Sequence, residues 1–152
     1  MEFIIDKDAG LIPHVLGQIL DTCVNGITLS DPNQPDNPLV YANAAFELIT
    51  GYDRAEMLGR NCRFLLGDDR NPPQVQRISE AIRERKRVTV TLRNYRKDGT
   101  MFYNRFTLRP LFDKAGRLIY HLGIQYDVSE SIRARDELDR LNAMLERLGE
   151  VS

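Results

Sequence analysis

Three amide side chains occupy positions where the sequence pattern points them into the fold. Two segments alternate strictly between apolar and polar residues, and this alternation places Asn94 and Asn104 on the apolar faces of their segments. Gln125 supplies a third amide, and Gly123 precedes it by two residues on the same face. Burying an amide without a partner costs about 1–3 kcal/mol. Two inward amides on neighbouring strands therefore indicate either mutual pairing or a polar ligand.

A carboxamide both donates and accepts hydrogen bonds. It therefore suits a heterocycle whose edge alternates N–H and C=O groups, such as the pyrimidine end of a flavin. A flat ring could lie against Gly123, which has no side chain. Buried Asn and Gln residues, however, more often satisfy backbone groups at turns and strand ends. The amides alone leave both interpretations open.

The chain contains two cysteines, Cys23 and Cys62, and a lone cysteine is most often a small buried apolar residue. Two cysteines cannot make a disulfide framework, and neither lies in a CxxC or Cys/His cluster of a metal site. This usage indicates a reducing compartment and no metal centre. Cys23 lies outside any motif, so we interpret it as structural.

The elements that must position these groups follow from a change of period along the chain. Apolar residues recur at helical spacing before Arg87 and at every second position after it. This change predicts short helices followed by a hairpin and a further strand. This order predicts an α+β domain, a five-stranded antiparallel sheet with its helices on one face. The predicted elements are strands at 27–29 and 39–41, helices at 43–50, after 53 and after 71, and strands at 88–94, 102–109 and 118–126.

Capping residues refine the predicted helix ends. Gly51 is expected to end the helix that begins at Asn43. Asp53 and Glu56 have the spacing of a capping box for another short helix. Asn71, followed by proline, makes a good start for a longer helix.

A helix is also predicted at each end of the chain. The first contains apolar residues at helical spacing, and the last opens with Asp127 and Glu130 at capping-box spacing. We expect residues 1–24 to form the first flanking helix, 25–128 the core and 129–152 the last helix. The apolar residues concerned are Ile12, Val15, Leu16, Ile19 and Leu20 in the first helix, and Leu138, Leu141, Leu145 and Leu148 in the last.

The leucines of the last helix step by three and four residues, as in a coiled coil. Either this helix folds back on its own sheet, or its leucines contact a second subunit. The two visible heptads favour a homodimer through the terminal helices.

The composition excludes several classes of protein. The 152 residues fit one domain with terminal elements. The formal net charge is −1, from 21 basic and 22 acidic residues, and lacks the basic footprint of direct nucleic-acid binding. No apolar run approaches the roughly 20 residues of a membrane span. We therefore expect a cytoplasmic protein without direct contact to nucleic acid or membrane.

The segments around these amides and Cys62 resemble the flavin-binding light-oxygen-voltage (LOV) branch of the PAS domains. The resemblance runs from about Gly26 to Ser129, roughly two thirds of the chain, and in its brevity and lack of an effector domain the chain resembles a bacterial short LOV protein. The motifs that carry it are Asp31-Pro32, Pro35-Asp36-Asn37-Pro38, Asn43, Phe46, Thr50-Gly51-Tyr52, Gly59-Arg60-Asn61-Cys62-Arg63-Phe64-Leu65, Asn94-Tyr95-Arg96-Lys97-Asp98-Gly99, Tyr103-Asn104 and Gly123-Ile124-Gln125.

The resemblance implies a blue-light photoreceptor, not an enzyme, that binds FMN non-covalently in the dark. In the family the cysteine matching Cys62 lies over the flavin, and under blue light its sulfur bonds carbon C4a while N5 gains a proton. Asn94 and Asn104 would hold the pyrimidine edge, and Gln125 would reach O4 and N5 and transmit the signal. The resemblance assigns further flavin contacts to Thr28, Asn61, Arg63, Leu65, Leu66, Arg70, Phe106 and Gly123, with Arg63 and Arg70 on the ribityl phosphate.

Two departures from the family pattern affect the expected ligand. Leu66 stands where the family usually has glutamine, so one polar contact is lost. Ser79 stands where many members have a second phosphate-binding arginine, so riboflavin can compete with FMN. Arg77 lies two residues away on the same predicted helix and could substitute.

Two other functions compete with this interpretation. The first is a PAS module for ligand binding or protein interaction without photochemistry, and the second is a flavin enzyme. The sequence has neither a nicotinamide-binding glycine fingerprint nor an acid/base constellation for a substrate, which disfavours the enzyme. The downstream partner is not identified by the sequence.

Overall fold

The alternating segments of the second half form three long strands, and the short apolar runs of the first half form two short ones. A computed structural model describes residues 17–151. All neighbouring strands are antiparallel, in the order β2-β1-β5-β4-β3. The predicted five-stranded antiparallel sheet is thus confirmed. The strands are β1 (Gly26–Ser30), β2 (Leu39–Ala42), β3 (Val88–Tyr95), β4 (Met101–Phe112) and β5 (Leu118–Asp127).

Short helices connect β2 to β3, and the predicted caps define the first two. The side chain of Asn43 accepts a hydrogen bond from the Phe46 amide, and Gly51 ends the helix in the left-handed region at φ 76°. The Glu56 carboxylate accepts from the Asp53 amide, as in the predicted capping box. The helices are α1 (described residues 17–21), α2 (Ala44–Thr50), α3 (Arg54–Met57), a 3-10 turn (Cys62–Leu66), α4 (Pro72–Glu84) and α5 (Ser129–Val151).

Asn71 precedes α4 as predicted, but its side chain does not cap that helix. Its backbone is left-handed at φ 45°, and its side-chain oxygen accepts from the Arg93 backbone amide at 3.0 Å. Its amide group donates to the backbone oxygens of Asp69 and Arg93, each at 3.0 Å. Asn71 therefore ties the start of α4 to strand β3, because pairing with a strand backbone satisfies its buried amide fully.

Two apolar clusters on the helical side of the sheet form the core. One joins β2, α2 and the 3-10 turn through residues such as Leu39, Phe46 and Leu65. The other joins α4 to the inner faces of β3 and β4, with Val90 and Phe106 among its buried members. The strand alternation read from the sequence thus orients the inner face correctly.

The two terminal helices differ in how much of them the structure describes. Ile12, Val15 and Leu16 of the predicted first helix lie outside the described residues. Helix α5 opens where the Asp127 carboxylate accepts from the Ser129 amide at 3.0 Å, instead of from Glu130. Beyond Ile132, its residues through 149 are exposed, so α5 is not folded back on its own sheet. No described helix is both long and apolar enough to span a membrane.

Candidate functional site

A cavity of about 370 Å³ lies between the inner face of the sheet and the helices, a volume within the range of small-molecule sites. Its wall combines apolar residues of both core clusters with a few polar side chains. Strands β1, β3, β4 and β5 contribute one side, and the 3-10 turn and α4 contribute the other. The polar lining residues are Thr28, Ser30, Asp36, Asn37, Asn61, Arg63, Ser79, Asn94, Asn104, His121 and Gln125, with Cys62 beside them.

Cys62 begins the 3-10 turn and lines the cavity while packing against the first core cluster. The turn is fixed at its start because the Asn61 side chain accepts from the Arg63 amide at 3.0 Å. Burial raises the pKa of the Cys62 thiol to about 12. The thiol is therefore neutral at physiological pH, and it faces the cavity as a protonated, polarizable group.

Asn94 and Asn104 lie side by side on β3 and β4, each 2% exposed. The Asn104 amide group donates to the Asn94 side-chain oxygen at 2.9 Å, and Asn94 donates to the Arg93 backbone oxygen at 3.1 Å. The Asn104 side-chain oxygen is buried and has no partner among the described residues. Of the two interpretations left open by the sequence, mutual pairing is present and still leaves one acceptor free for a ligand.

Gln125 is fully buried on β5, and its amide group donates to the Thr28 hydroxyl at 3.1 Å. Its side-chain oxygen also has no partner in the described part of the chain. Gly123 does not offer the predicted gap for a ring, because a Cβ there would lie 2.4 Å from the Thr28 hydroxyl oxygen and 2.9 Å from Gln125 Nε2. The glycine instead makes room for the hydrogen bond between Thr28 and Gln125.

The cavity mouth carries one ion pair between lining residues. Arg63 pairs with Asp36, and this hydrogen bond lowers the pKa of the Asp36 carboxyl. The Asn61 amide group donates to the Asp36 backbone oxygen at 2.7 Å, so three residues close this side of the mouth. The guanidinium of Arg63 is half-exposed and is the group here that could reach a phosphate.

The structure does not bring every predicted contact residue to the cavity. Arg70 is exposed, and Leu65 is buried in the first core cluster instead of lining the wall. Arg77 donates to the Thr89 backbone oxygen at 3.3 Å, away from the lining, whereas Ser79 does line it. Leu66 and Phe106 lie on the cavity wall as expected for apolar contacts.

Sequence reasoning missed several lining residues, of which Ser30, Asp36, Asn37 and His121 are polar. Ser30 and His121 could have been found by strand alternation, because Ser30 lies two residues from Thr28 and His121 four residues from Gln125, so each shares the inward face of its strand. The apolar lining from α4 was likewise not predicted as part of the site. Its members are Val75, Ile78 and Ile82.

The buried side-chain oxygens without a hydrogen-bond partner indicate what kind of ligand the cavity can hold. Buried polar atoms nearly always have partners, so free oxygens on Asn104 and Gln125 indicate that ligand donors belong opposite them. A flavin ring presents N–H and C=O groups on one edge and an apolar body elsewhere, which suits apolar walls such as Leu92 and Leu108. The residues of the cavity therefore fit a flavin.

Comparison with known proteins gives a family and a photoreceptor relative. A family model described as PAS domain matches residues 24–130. A blue-light photoreceptor of Listeria monocytogenes is 44% identical over 123 residues, which cover 81% of this chain and 48% of that protein. The chain thus spans about half the length of this relative.

Solved structures agree with the sequence relatives. An RNA-binding light-oxygen-voltage receptor superposes with a TM-score of 0.80 at 37% identity, covering 97% of this chain and 42% of its own. A light-oxygen-voltage domain whose mechanism was studied with a flavin analogue superposes with a TM-score of 0.74 at 38% identity, covering 88% of this chain and 99% of its own.

Proposed function

The chain belongs to the LOV branch of the PAS domain family, and on this premise we propose that it senses blue light through a flavin that reacts reversibly with Cys62 at ring carbon C4a. The observation that carries the proposal is the position of Cys62 on the wall of a flavin-sized cavity whose free acceptors are amide oxygens.

Cys62 is suited to a reaction that waits for light. Its thiol stays protonated in the dark because burial raises its pKa to about 12, so it does not attack a ground-state ring. When bound, a flavin supplies an excited ring carbon for the sulfur and a ring nitrogen, N5, that takes up the thiol proton. The nearby apolar core restricts water and keeps the two groups together.

The amides supply the orientation of the flavin. Asn94 and Asn104 would bind the pyrimidine edge, where the free oxygen of Asn104 can accept from a ring N–H. Gln125 would reach O4 and N5, which both accept in the dark, through the N–H groups of its amide. Arg63 would bind the phosphate of FMN after exchanging its Asp36 partner. Because Ser79 supplies no second cation, riboflavin should bind with an affinity close to that of FMN.

The signal would leave the cavity through Gln125. A change of N5 from acceptor to donor requires this amide to present its oxygen instead of its nitrogen, which disturbs the bond to Thr28. Strand β5 continues within two residues to Asp127, which caps the start of α5. We propose that α5 changes its packing or its dimer contact in response, without catalytic turnover.

The test is the absorption of the purified protein before and after blue illumination. The wild type should be yellow and should bleach reversibly. Cys62→Ala should retain the flavin and lose the bleaching, because the reacting sulfur is absent. Cys23→Ala removes the other thiol of the chain and should bleach as the wild type does.

Each alternative function has its own outcome in this experiment. Colourless protein would favour a PAS module without photochemistry. Bleaching that persists in Cys62→Ala would assign the reaction to another group. Steady oxidation of a reductant by the yellow protein would favour a flavin enzyme.

A further inference from the structure

A row of polar side chains follows one wall of the cavity along β1 and β5. His121 lies opposite Ser30 in the strand register, and Thr28 is the next inward residue on β1. The Thr28 hydroxyl accepts from Gln125 at 3.1 Å. All four side chains line the cavity, so they form a polar track along this wall.

The first residue of this track lacks a partner. His121 is 3% exposed, and its Nε2 is buried without a hydrogen-bond partner among residues 17–149. Buried polar atoms in folded proteins are nearly always paired with protein or ordered water. Ser30 and His121 both line the cavity, so they offer two polar groups that could hold a water molecule there.

The other end of the track is the amide that the proposed function places beside the flavin nitrogen N5. Gly123, between His121 and Gln125, leaves the Thr28 hydroxyl in contact with Gln125, since any Cβ there would collide with it. About 13 Å of strand separates His121 from Gln125. A proton could cross this distance only through intervening hydroxyls and water, and Ser30 and Thr28 supply the hydroxyls.

The titratable groups around the cavity differ in what they can do near neutral pH. Burial lowers the pKa of His121 and raises that of Cys62 to about 12. Asp36 and Arg63 pair with each other at the mouth. Among the described lining residues, His121 is thus the one of the residue type that changes charge near neutral pH.

Within the described part of the chain, the two strand partners of His121 are not titratable. Its partner on β4 is Pro110, and its partner on β1 is Ser30. Tyr120 is adjacent on β5, and burial raises its pKa. Asp31 follows β1 and accepts hydrogen bonds from Asn33 and Gln34.

We propose that His121 is the proton acceptor for the return to the dark form, acting through water held along Ser30 and Thr28. The inference rests on the proposed function. In the return step, the carbon–sulfur bond breaks and its electron pair goes to sulfur. The N5–H bond breaks, its electron pair stays in the ring, and the proton passes to the imidazole. The imidazolium releases one proton and the sulfur of Cys62 gains one, so no oxidant or reductant is consumed.

The test measures dark recovery after a blue flash between about pH 5 and pH 8, in H₂O and in D₂O. Wild-type recovery should slow about tenfold or more as the pH falls, because only the neutral imidazole accepts a proton. In His121→Phe, recovery at neutral pH should slow about tenfold or more, and its pH dependence should flatten. Free imidazole added to this variant should restore part of the rate.

An independent readout uses the dark protein without any photochemistry. The chain has two histidines, so the imidazole NMR signals can be assigned with the variant His14→Gln, which should also keep the wild-type recovery profile. The His121 signal should titrate with a midpoint below about 6.5 that matches the midpoint of the kinetic profile.

Several results would overturn the inference. One is a wild-type recovery rate that does not change with pH. Another is an unchanged profile in His121→Phe, or in His121→Gln if the first variant fails to hold flavin. A third is an NMR midpoint that differs from the kinetic one. Wild-type protein that never bleaches would refute the proposed function itself, whereas bleaching with pH-independent recovery would refute the role of His121 alone.

Discussion

Gln125 both lines the cavity and belongs to strand β5 of the sheet. It is fully buried, pairs in register with Gly26 on β1 and Phe106 on β4, and keeps one side-chain oxygen free. An amide can reverse its donor and acceptor roles by rotating, so it can respond to a proton change that an apolar side chain would ignore. This makes Gln125 the residue to alter when the response is to be separated from the photochemistry.

Replacing Gln125 by leucine should separate the two. Gln125→Leu should still bleach under blue light, because Cys62 is unchanged, but should lose most of the light-minus-dark difference in α5. Hydrogen exchange of the α5 amides measures that difference. Gln76→Leu, on the exposed surface of α4, is the matched control and should respond normally. An unchanged α5 response in Gln125→Leu would remove this residue from the signal route.

At the level of single residues, the predicted inward direction of the amides is confirmed, whereas the predicted ligand contacts of the amides and arginines stay predictions. Alternation fixes the inward direction of Asn94 and Asn104 because a strand has a strict period of two. Arg70 lies in a loop with no period, so its exposed position could not be derived from pattern. The pairing of Arg63 with Asp36 depends on two segments that meet only in the folded chain.

At the level of whole elements, a polar connection to strand β3 holds helix α4 in place. The Asp69 carboxylate accepts from Arg93 Nε at 2.6 Å and Nη2 at 2.8 Å, and from the Tyr95 hydroxyl at 2.9 Å. Asn71 adds its own bonds to the backbone of Arg93. Because α4 supplies apolar residues to the cavity wall, this connection also sets the width of the cavity.

Asp69 should make the protein sensitive to acid. The hydrogen bond from Arg93 holds the pKa of Asp69 well below its usual value, so its stabilisation is present above about pH 4 and is lost as pH falls below that. Asp69→Asn should therefore lower the melting temperature at pH 7 and flatten its decline on the acid side. Thermal melts from about pH 2 to pH 7 measure both effects.

The neighbouring Asp68 provides the control for this experiment because it is a carboxylate in the same loop and, unlike Asp69, is exposed. Asp68→Asn should keep the wild-type acid profile. Equal acid slopes in Asp69→Asn and the wild type would show that the connection does not contribute to stability.

The order of elements was predictable, whereas the connections between them were not. Asn71 illustrates the difference, because its type and the following proline predicted a helix cap, yet its side chain binds β3. The choice between a local cap and a distant strand depends on tertiary contacts, which the local pattern does not contain. The capping pair at Asp53 and Glu56 is local, and its prediction was correct.

The whole molecule exposes an apolar stripe on α5. Its leucines are at least half exposed, which is costly for a helix that remains alone in water. The spacing of three and four residues is that of a coiled-coil seam. A second copy of the chain would cover the stripe. Its members are Leu138, Leu141, Leu145 and Leu148, with Met144 beside them.

A charge placed within this stripe should therefore weaken a dimer. Leu145→Glu should raise the dimer dissociation constant about tenfold or more, since it leaves a carboxylate in an apolar contact. Light scattering at several protein concentrations measures the change. Ala143→Glu adds the same charge on the opposite face of α5 and should leave the dimer intact. A wild type that stays monomeric at every concentration would contradict the dimer.

The length of helix α5 determines how far its far end moves when the helix tilts at its start. Its 23 residues form a rod about 34 Å long whose base is the short junction at Val128. Arg96 connects the start of α5 to the rest of the fold. Its guanidinium donates to the Asp127 carboxylate at 2.6 Å, and its Nε donates to the Ile49 backbone oxygen at 3.0 Å. A tilt of only about 10° at this pivot would carry the far tip about 6 Å sideways. Under the proposed function, α5 would therefore convert sub-ångström shifts of β5 into displacements large enough for a partner to detect.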